Sequence, residues 1–251
     1  MSALVIENLS KHFGGVAAVS GVSMEAPPGR VTGLIGPNGA GKTTLINLIT
    51  GVLTVSDGRI HFGGQDITQV SAHLVARSGV ARTFQNIRLL AEASVIDNVM
   101  IGFYRNEKTS TLASLLGLPS ARRETAALRS RANALLERFG MSQYANHEAG
   151  GLAYGHQRRV EMMRALASEP RLILLDEPVA GMNDVEAGEL GEIFRGLARS
   201  GMSVLLIEHN IRFVTNICEY IYVLDSGRMI ASGTPEQIVN DPAVITAYLG
   251  S

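Results

Sequence analysis

Apolar positions along the chain fall into short runs whose spacing changes twice. ALVIENL (3–9), VSGVSMEA (19–26) and VTGLIG (31–36) are apolar or alternating and are separated by glycines and prolines, which predicts strands. A helix is predicted from Gly41 to about Thr50, and RIHFGGQDI (59–67) reads as a strand and a tight Gly-Gly turn. From Ser94 to Leu166 the pattern turns mainly helical, with SVIDNVMIG and then RRETAALRSRANALLERFG (122–140). The second run places Leu128, Ala132, Leu135, Leu136 and Phe139 close to a 3.6-residue period. Between them EKTSTLASLLGLPS (107–120) reads as a loop or short-helix insertion. After Pro170 the order is strand–helix–strand again: RLILLD, VEAGELGEIFRGLARS, MSVLLIE and YIYVLDSGRMIA. The uninterrupted runs LILL and VLLI suit a parallel sheet covered on both faces. The pattern therefore predicts an α/β core over 1–85 and 166–251, with a helical lobe inserted at 86–165 and no internal repeat.

Composition narrows the classes. With 46% hydrophobic and 18% charged residues over 251 positions, the chain can build a sizeable core as one large domain or two joined lobes. Lys+Arg is 22 and Asp+Glu is 23, so no global basic field draws the protein to nucleic acid or anionic lipid. The single cysteine, Cys218, fits a reducing compartment. The longest stretch without Asp, Glu, Lys or Arg, Thr43 to Ser56, has 14 residues, short of the roughly 20 a spanning helix needs. MSALVIENLSK has no basic region ahead of an apolar run, so no signal peptide is expected. The expectation is a soluble, cytoplasmic chain whose membrane role, if it has one, comes through a partner.

Two segments carry chemistry. GPNGAGKTT comprises Gly36, Pro37, Asn38, Gly39, Ala40, Gly41, Lys42, Thr43 and Thr44. It fits G-x-x-x-x-G-K-[ST] between an apolar strand and a helix, the context a phosphate loop requires. Glycines let successive backbone N–H groups curl around an anion, and the following helix presents its positive end to it. Lys42 can reach the β- and γ-phosphates of a nucleotide such as ATP, and the Thr43 hydroxyl can ligate Mg²⁺. The second segment, RLILLDEP (171–178), is an apolar strand ending in two carboxylates that alternation aims in different directions. Asp176 suits holding Mg²⁺ directly or through water. Glu177 suits orienting and deprotonating an attacking water.

With these in place, the order of the remaining motifs resembles that of the ATP-binding cassette (ABC) ATPases over essentially the whole chain. The resemblance implies a P-loop NTPase core with an N-terminal antiparallel β subdomain and an inserted helical subdomain. Gln85, in RTFQN, matches the Q-loop glutamine, which would bridge the metal and water to the helical lobe. Leu152, Ala153, Tyr154, Gly155, His156 and Gln157 stand in the place of the signature motif that faces the opposite subunit's ATP. His209, in LLIEHNI, matches the switch histidine, and Phe13, in KHFGG, matches the aromatic that stacks on adenine. The implied assembly is a head-to-tail dimer whose closure on ATP drives a partner's conformational cycle.

Three positions depart from the family pattern: Ala153 replaces a serine, Tyr154 replaces a glycine, and Asn183 stands where the D-loop usually has aspartate. RTFQNIRLL, LAYGHQRR, EPVAGMN, LLIEHNI, SGTPEQI, AYLG and the insertion after GFYRNEK are similar to the ATPase subunits of branched-chain amino-acid importers. That likeness implies a homo- or heterodimer at the inner face of the membrane, under two permeases fed by a periplasmic binding protein, and no nucleic-acid partner. NIRLLAEASVIDN is where a permease coupling helix would dock. Ile87, Leu89 and Leu90 suit either that docking or burial within the lobe. The alternatives are a lipopolysaccharide-type exporter ATPase, a soluble non-transport ABC ATPase, and a nucleotide-binding module without turnover. Intact Lys42, Asp176 and Glu177 argue against the last.

Overall fold

The structure is a computed structural model that describes residues 4–83, 87–103 and 118–249. The chain divides into two compact units: 1–82, 171–180 and 184–251 form one, and 83–170 with 181–183 form the other.

The first unit opens with a hairpin of β1 (Leu4–Phe13) and β2 (Val16–Ala26). Both strands run further than the apolar pattern predicts. The polar stretch Ser10–His12 still pairs, Lys11 with Val19 and His12 with Ala17, because an antiparallel hairpin can face water on one side. β4 (Asp57–Phe62) and β5 (Gln65–Asp66) flank them across the Gly63–Gly64 turn, giving the order β2-β1-β4-β5.

The other sheet of this unit is mixed. Its strands are β3 (Val31–Ile35), β6 (Val80–Arg82), β7 (Leu172–Asp176), β8 (Ser203–Ile207), β9 (Tyr220–Asp225) and β10 (Arg228–Gly233), in the order β10-β9-β3-β8-β7-β6. β3, β7 and β8 are buried at every position and pair in parallel, which is why their sequences read as unbroken apolar runs. β10 closes the sheet as an antiparallel partner of β9.

Helix α1 (Lys42–Ile49) follows β3 and buries Leu45, Ile46, Leu48 and Ile49 in a core shared with residues of both sheets, among them Leu4, Phe62, Leu174 and Leu205. α2 (Ala72–Arg77) precedes β6.

The second unit contains α3 (Val95–Ile101), α4 (Pro119–Arg138) and α5 (Tyr154–Ala167). The Ser94 hydroxyl caps α3 by accepting from the Asp97 N–H at 3.2 Å. α4 starts earlier than the predicted 122, because Pro119 fits the first turn, where no N–H is needed. Leu128, Ala132, Leu136 and Phe139 form its buried stripe, while Leu135 is only half-buried. The unit extends to Pro170, past the pattern's limit at 165, because α5 runs on to Ala167. It begins at Thr83, because β6 pairs with β7 as far as Arg82.

The fully buried Asn98 fastens the loop ahead of α3: it donates to the carbonyls of Leu90 (3.0 Å) and Ser94 (3.1 Å) and accepts from the Leu90 N–H at 2.9 Å. Leu90 is held exposed by this arrangement, whereas Ile87 and Leu89 are half-buried.

In the first unit, α6 (Asp184–Arg199) and α7 (Ile211–Ile217) pack together where Gly191 of α6 leaves room for Ile217 and Phe213 of α7. The chain then reaches α8 (Pro235–Val239) and α9 (Pro242–Leu249). α8 starts on a reciprocal cap in which the Thr234 N–H donates to Gln237 Oε1 at 2.9 Å. Among the described residues, no helix is long and apolar enough to cross a membrane.

Candidate nucleotide site

The loop between β3 and α1 is shaped by its first glycine. A β-carbon at Gly36 would stand 2.0 Å from the Leu224 carbonyl oxygen, so no other residue fits beneath β9. The Lys42 ammonium donates to the carbonyls of Gly36 (2.6 Å) and Pro37 (2.9 Å), folding the side chain over its own loop. Burial lowers the pKa of Lys42, and Glu177, Asp176 and Glu208 oppose that shift by favouring the charged form. Thr43 is exposed in the first turn of α1, while Asn38 and Gly39 are exposed at the loop tip. Ala40 is buried, and its carbonyl accepts from the Gly227 N–H at 2.9 Å.

β7 delivers the two carboxylates to different neighbours. Asp176 ends the strand, buried, and accepts from Arg82 Nη2 at 2.9 Å. Arg82 also donates from Nη1 to Asn47 Oδ1 at 2.6 Å, which ties the strand end to α1. Glu177 leaves the strand with φ +47°, and its N–H donates to the Ile207 carbonyl at 2.9 Å. Its Oε1 lies 3.5 Å from Nδ1 of His209, the residue that follows Glu208 at the end of β8. Asp176 thus turns toward β6 and Glu177 toward β8, as alternation predicts. The His209 ring is largely exposed, with room to turn.

Three residues matter here that the sequence pattern did not single out. Arg82 is one. The second is Glu208, almost wholly buried, which accepts from the N–H groups of Val179 (3.3 Å) and His209 (3.2 Å). The third is Tyr248 of α9, whose phenol is buried against the Gly36 backbone; burial pushes its pKa up to about 12. Only Asn210 among the neighbouring positions left a local signal, as an N-cap that accepts from the Phe213 N–H at 3.1 Å.

Burial also raises the pKa of Glu208, partly offset by the Val179 N–H and by His209. The folded state therefore binds this proton more tightly than the unfolded chain. The associated stability is present below the ordinary carboxylate range and is lost as pH rises through the raised folded value. Glu208→Gln, always neutral, is expected to melt above the parent protein at about pH 8, with the gap closing toward about pH 4. Thermal melts across that range check this; a gap that does not depend on pH rejects it.

Phe13 sits at the end of β1, about half exposed, with the Lys11 ammonium 5.2 Å from its ring centroid. The signature-like residues lie in the second unit. Ala153 precedes α5 with no side-chain cap, and its carbonyl accepts from the Gln157 N–H at 3.0 Å. The Gln157 amide folds back to donate to the Leu152 carbonyl at 2.9 Å. The His156 ring packs on Tyr144, with centroids 4.6 Å apart. Leu152 and Gly155 are half-buried, and Tyr154 is exposed. Gln85 lies outside the described residues, as does most of the 107–120 insertion. The structure thus gathers Gly36–Thr44, Asp176, Glu177 and His209 in one unit, with Leu152–Gln157 in the other.

A buried lysine over a glycine-shaped loop, with carboxylates at the adjacent strand end, defines a phosphate-binding fold of the P-loop class. The model of the family described as "ABC transporter" matches residues 19–180. A second, "Branched-chain amino acid ATP-binding cassette transporter", matches 228–251. The chain is 43% identical over 248 residues to the high-affinity branched-chain amino acid transport ATP-binding protein LivG of Escherichia coli (strain K12), covering 98% of this chain and 97% of that protein. It is 36% identical over 251 residues to the lipopolysaccharide export system ATP-binding protein LptB of Haemophilus influenzae, covering 100% and 98%. A solved nucleotide-free ATP-binding cassette from an ABC transporter superposes with a TM-score of 0.86 at 36% identity, covering 100% of both chains. The protein belongs to the ABC transporter family, as an ATP-binding and ATP-hydrolysing cassette.

Proposed function

We propose that this cassette energises the import of branched-chain or other hydrophobic amino acids, working at the inner face of a membrane beneath two permease subunits that a periplasmic binding protein supplies. The observation that carries the chemistry is Lys42, held over its own loop within the field of Asp176, Glu177 and Glu208. The C-terminal match at 228–251 and the 43% identity to a branched-chain amino acid transport protein support the cargo class.

In this reading the loop N–H groups of Gly36–Thr44 and the Lys42 ammonium hold the phosphates of ATP. The Phe13 ring offers a platform for the base. Among the described residues no three His, Cys, Asp or Glu side chains cluster as a metal cage. Thr43 and Asp176 are hard oxygen donors of the kind that, with phosphate oxygens, suit Mg²⁺, and Gln85 would complete the set. A bound Mg²⁺ would neutralise charge on the phosphates. Glu177 orients and deprotonates the attacking water, and His209 contacts the γ-phosphate. Two cassettes, identical or related, associate head to tail, so that Leu152–Gln157 of each meets the other's nucleotide at the free N–H groups opening α5. Residues 1–251 act as one cassette of two lobes.

The decisive experiment is substrate uptake in cells lacking this protein. Leucine uptake is expected to fall at least about tenfold and to return with the parent protein but not with Lys42→Ala. Intact leucine uptake alongside loss of surface lipopolysaccharide would move the assignment to an exporter. Co-purification with nucleic acid and no permease would remove the transport reading altogether.

A further inference from the structure

The tyrosine that departs from the family's usual glycine has a matched partner. A β-carbon at Gly181 would stand 3.4 Å from Cδ1 and 3.6 Å from Cε1 of Tyr154, so the ring packs directly on the Gly181 backbone. Gly181 has φ +75°, a conformation that L side chains rarely adopt. Within α5, the guanidinium carbon of Arg158 lies over the same ring, 5.8 Å from its centroid. Arg158 is itself buried and paired with Glu161 at 2.9 Å.

The loop this ring touches has an unusual membership. Residues 181–183 cluster with the second unit, although Ala180 before them and Asp184 after them belong to the first. The same loop carries Asn183 and begins four residues after Glu177.

We propose that Tyr154 is a positioning residue that couples the start of α5 to the loop 181–183, so that engagement of α5 with a nucleotide is relayed along the chain toward Glu177. The inference rests on the reading that α5 opens onto a nucleotide. Residues 181–183 carry no fully buried side chain, so a ring packed on Gly181 biases where the loop sits. The aromatic ring at 154 supplies that contact. Glycine there, the family's usual residue, has no side chain to do so. The coupling bears on turnover rather than on first capture of ATP, because in the proposed assembly Tyr154 meets only a nucleotide that the opposite cassette's phosphate loop already holds.

The test is steady-state ATP hydrolysis by the purified full chain, with amide exchange followed at 181–183. Tyr154→Ala is expected to lower kcat about tenfold while KM for ATP stays within about twofold. Exchange at the loop amides is expected to quicken. Tyr154→Phe, which keeps the ring on Gly181, is expected to recover kcat to within about threefold of the parent. An unchanged kcat in Tyr154→Ala, a change confined to KM, or a Tyr154→Phe protein as slow as Tyr154→Ala each overturns the proposal. Tyr154 is exposed at the first position of α5, so neither substitution threatens the fold, and thermal melts verify this. A Lys42→Ala control separates the two levels. Normal hydrolysis by that control defeats the site reading itself. An inactive control beside a normal Tyr154→Ala defeats only the coupling.

Discussion

Lys42→Ala is expected to lower ATP hydrolysis by at least about a hundredfold, because it removes the loop cation that, in the proposed reading, holds the β- and γ-phosphates. Hydrogen bonds from a charged group to phosphate oxygens are worth roughly 1.5–3 kcal/mol each, and the transition state concentrates charge on those oxygens. The fold is expected to tolerate the change. The substitution deletes two bonds to the Gly36 and Pro37 carbonyls, but it also releases the desolvation penalty that lowers the Lys42 pKa. Hydrolysis, nucleotide binding and thermal melting together check the prediction. A well-folded variant with near-normal turnover would sink the phosphate-loop assignment, and a variant that unfolds would contradict the stability argument.

Glu177→Gln is expected to separate binding from chemistry. Glutamine keeps the volume and the backbone demand of a residue at φ +47°, so the turn after β7 persists. What disappears is the proton acceptor, and general-base catalysis contributes about 10²–10⁴ in rate. ATP affinity is expected to stay within about threefold while kcat falls by at least about a hundredfold. Since the γ-phosphate is then retained, two cassettes are expected to remain associated, which size-exclusion chromatography with ATP reads directly. Rapid turnover by this variant rejects Glu177 as the base. The adjacent His209, 3.5 Å from Glu177 Oε1, would then be the group to test.

The elements that build this site differ in how plainly the sequence announced them. Spacing alone places Gly36, Lys42 and Thr43, because a phosphate loop is a contiguous piece of backbone whose glycines answer to local sterics. The ends of β7 and β8 are equally plain, since parallel strands covered on both faces admit only apolar side chains. Strand and helix limits were less so. His12 and Phe13 extend β1 past its apolar run because pairing, not hydropathy, holds an exposed hairpin edge. Pro119 opens α4 where a periodic reading begins at 122, because proline suits a first turn. The Thr234–Gln237 cap announces α8 locally, but five residues are too few for helical periodicity to register.

What the sequence could not supply are the contacts between distant positions. Nothing near Arg82 foretells its pairing with Asp176, 94 residues away. Glu208 reads as one more polar residue after an apolar strand, until the Val179 N–H is found donating to it from the neighbouring turn. Tyr154 reads as a departure from a motif, until Gly181 is found beneath its ring. By itself the sequence determined the glycine-rich loop between β3 and α1, the position of the two carboxylates at the end of β7 and the family, because each depends on residues adjacent in the chain or on their order along it. Only the tertiary structure decided how Lys42 is held, which partners Asp176 and Glu177 face, and what Tyr154 touches. Burial and side-chain pairing depend on distances that packing sets, and residues far apart in sequence become neighbours only once both sheets and the helices have packed.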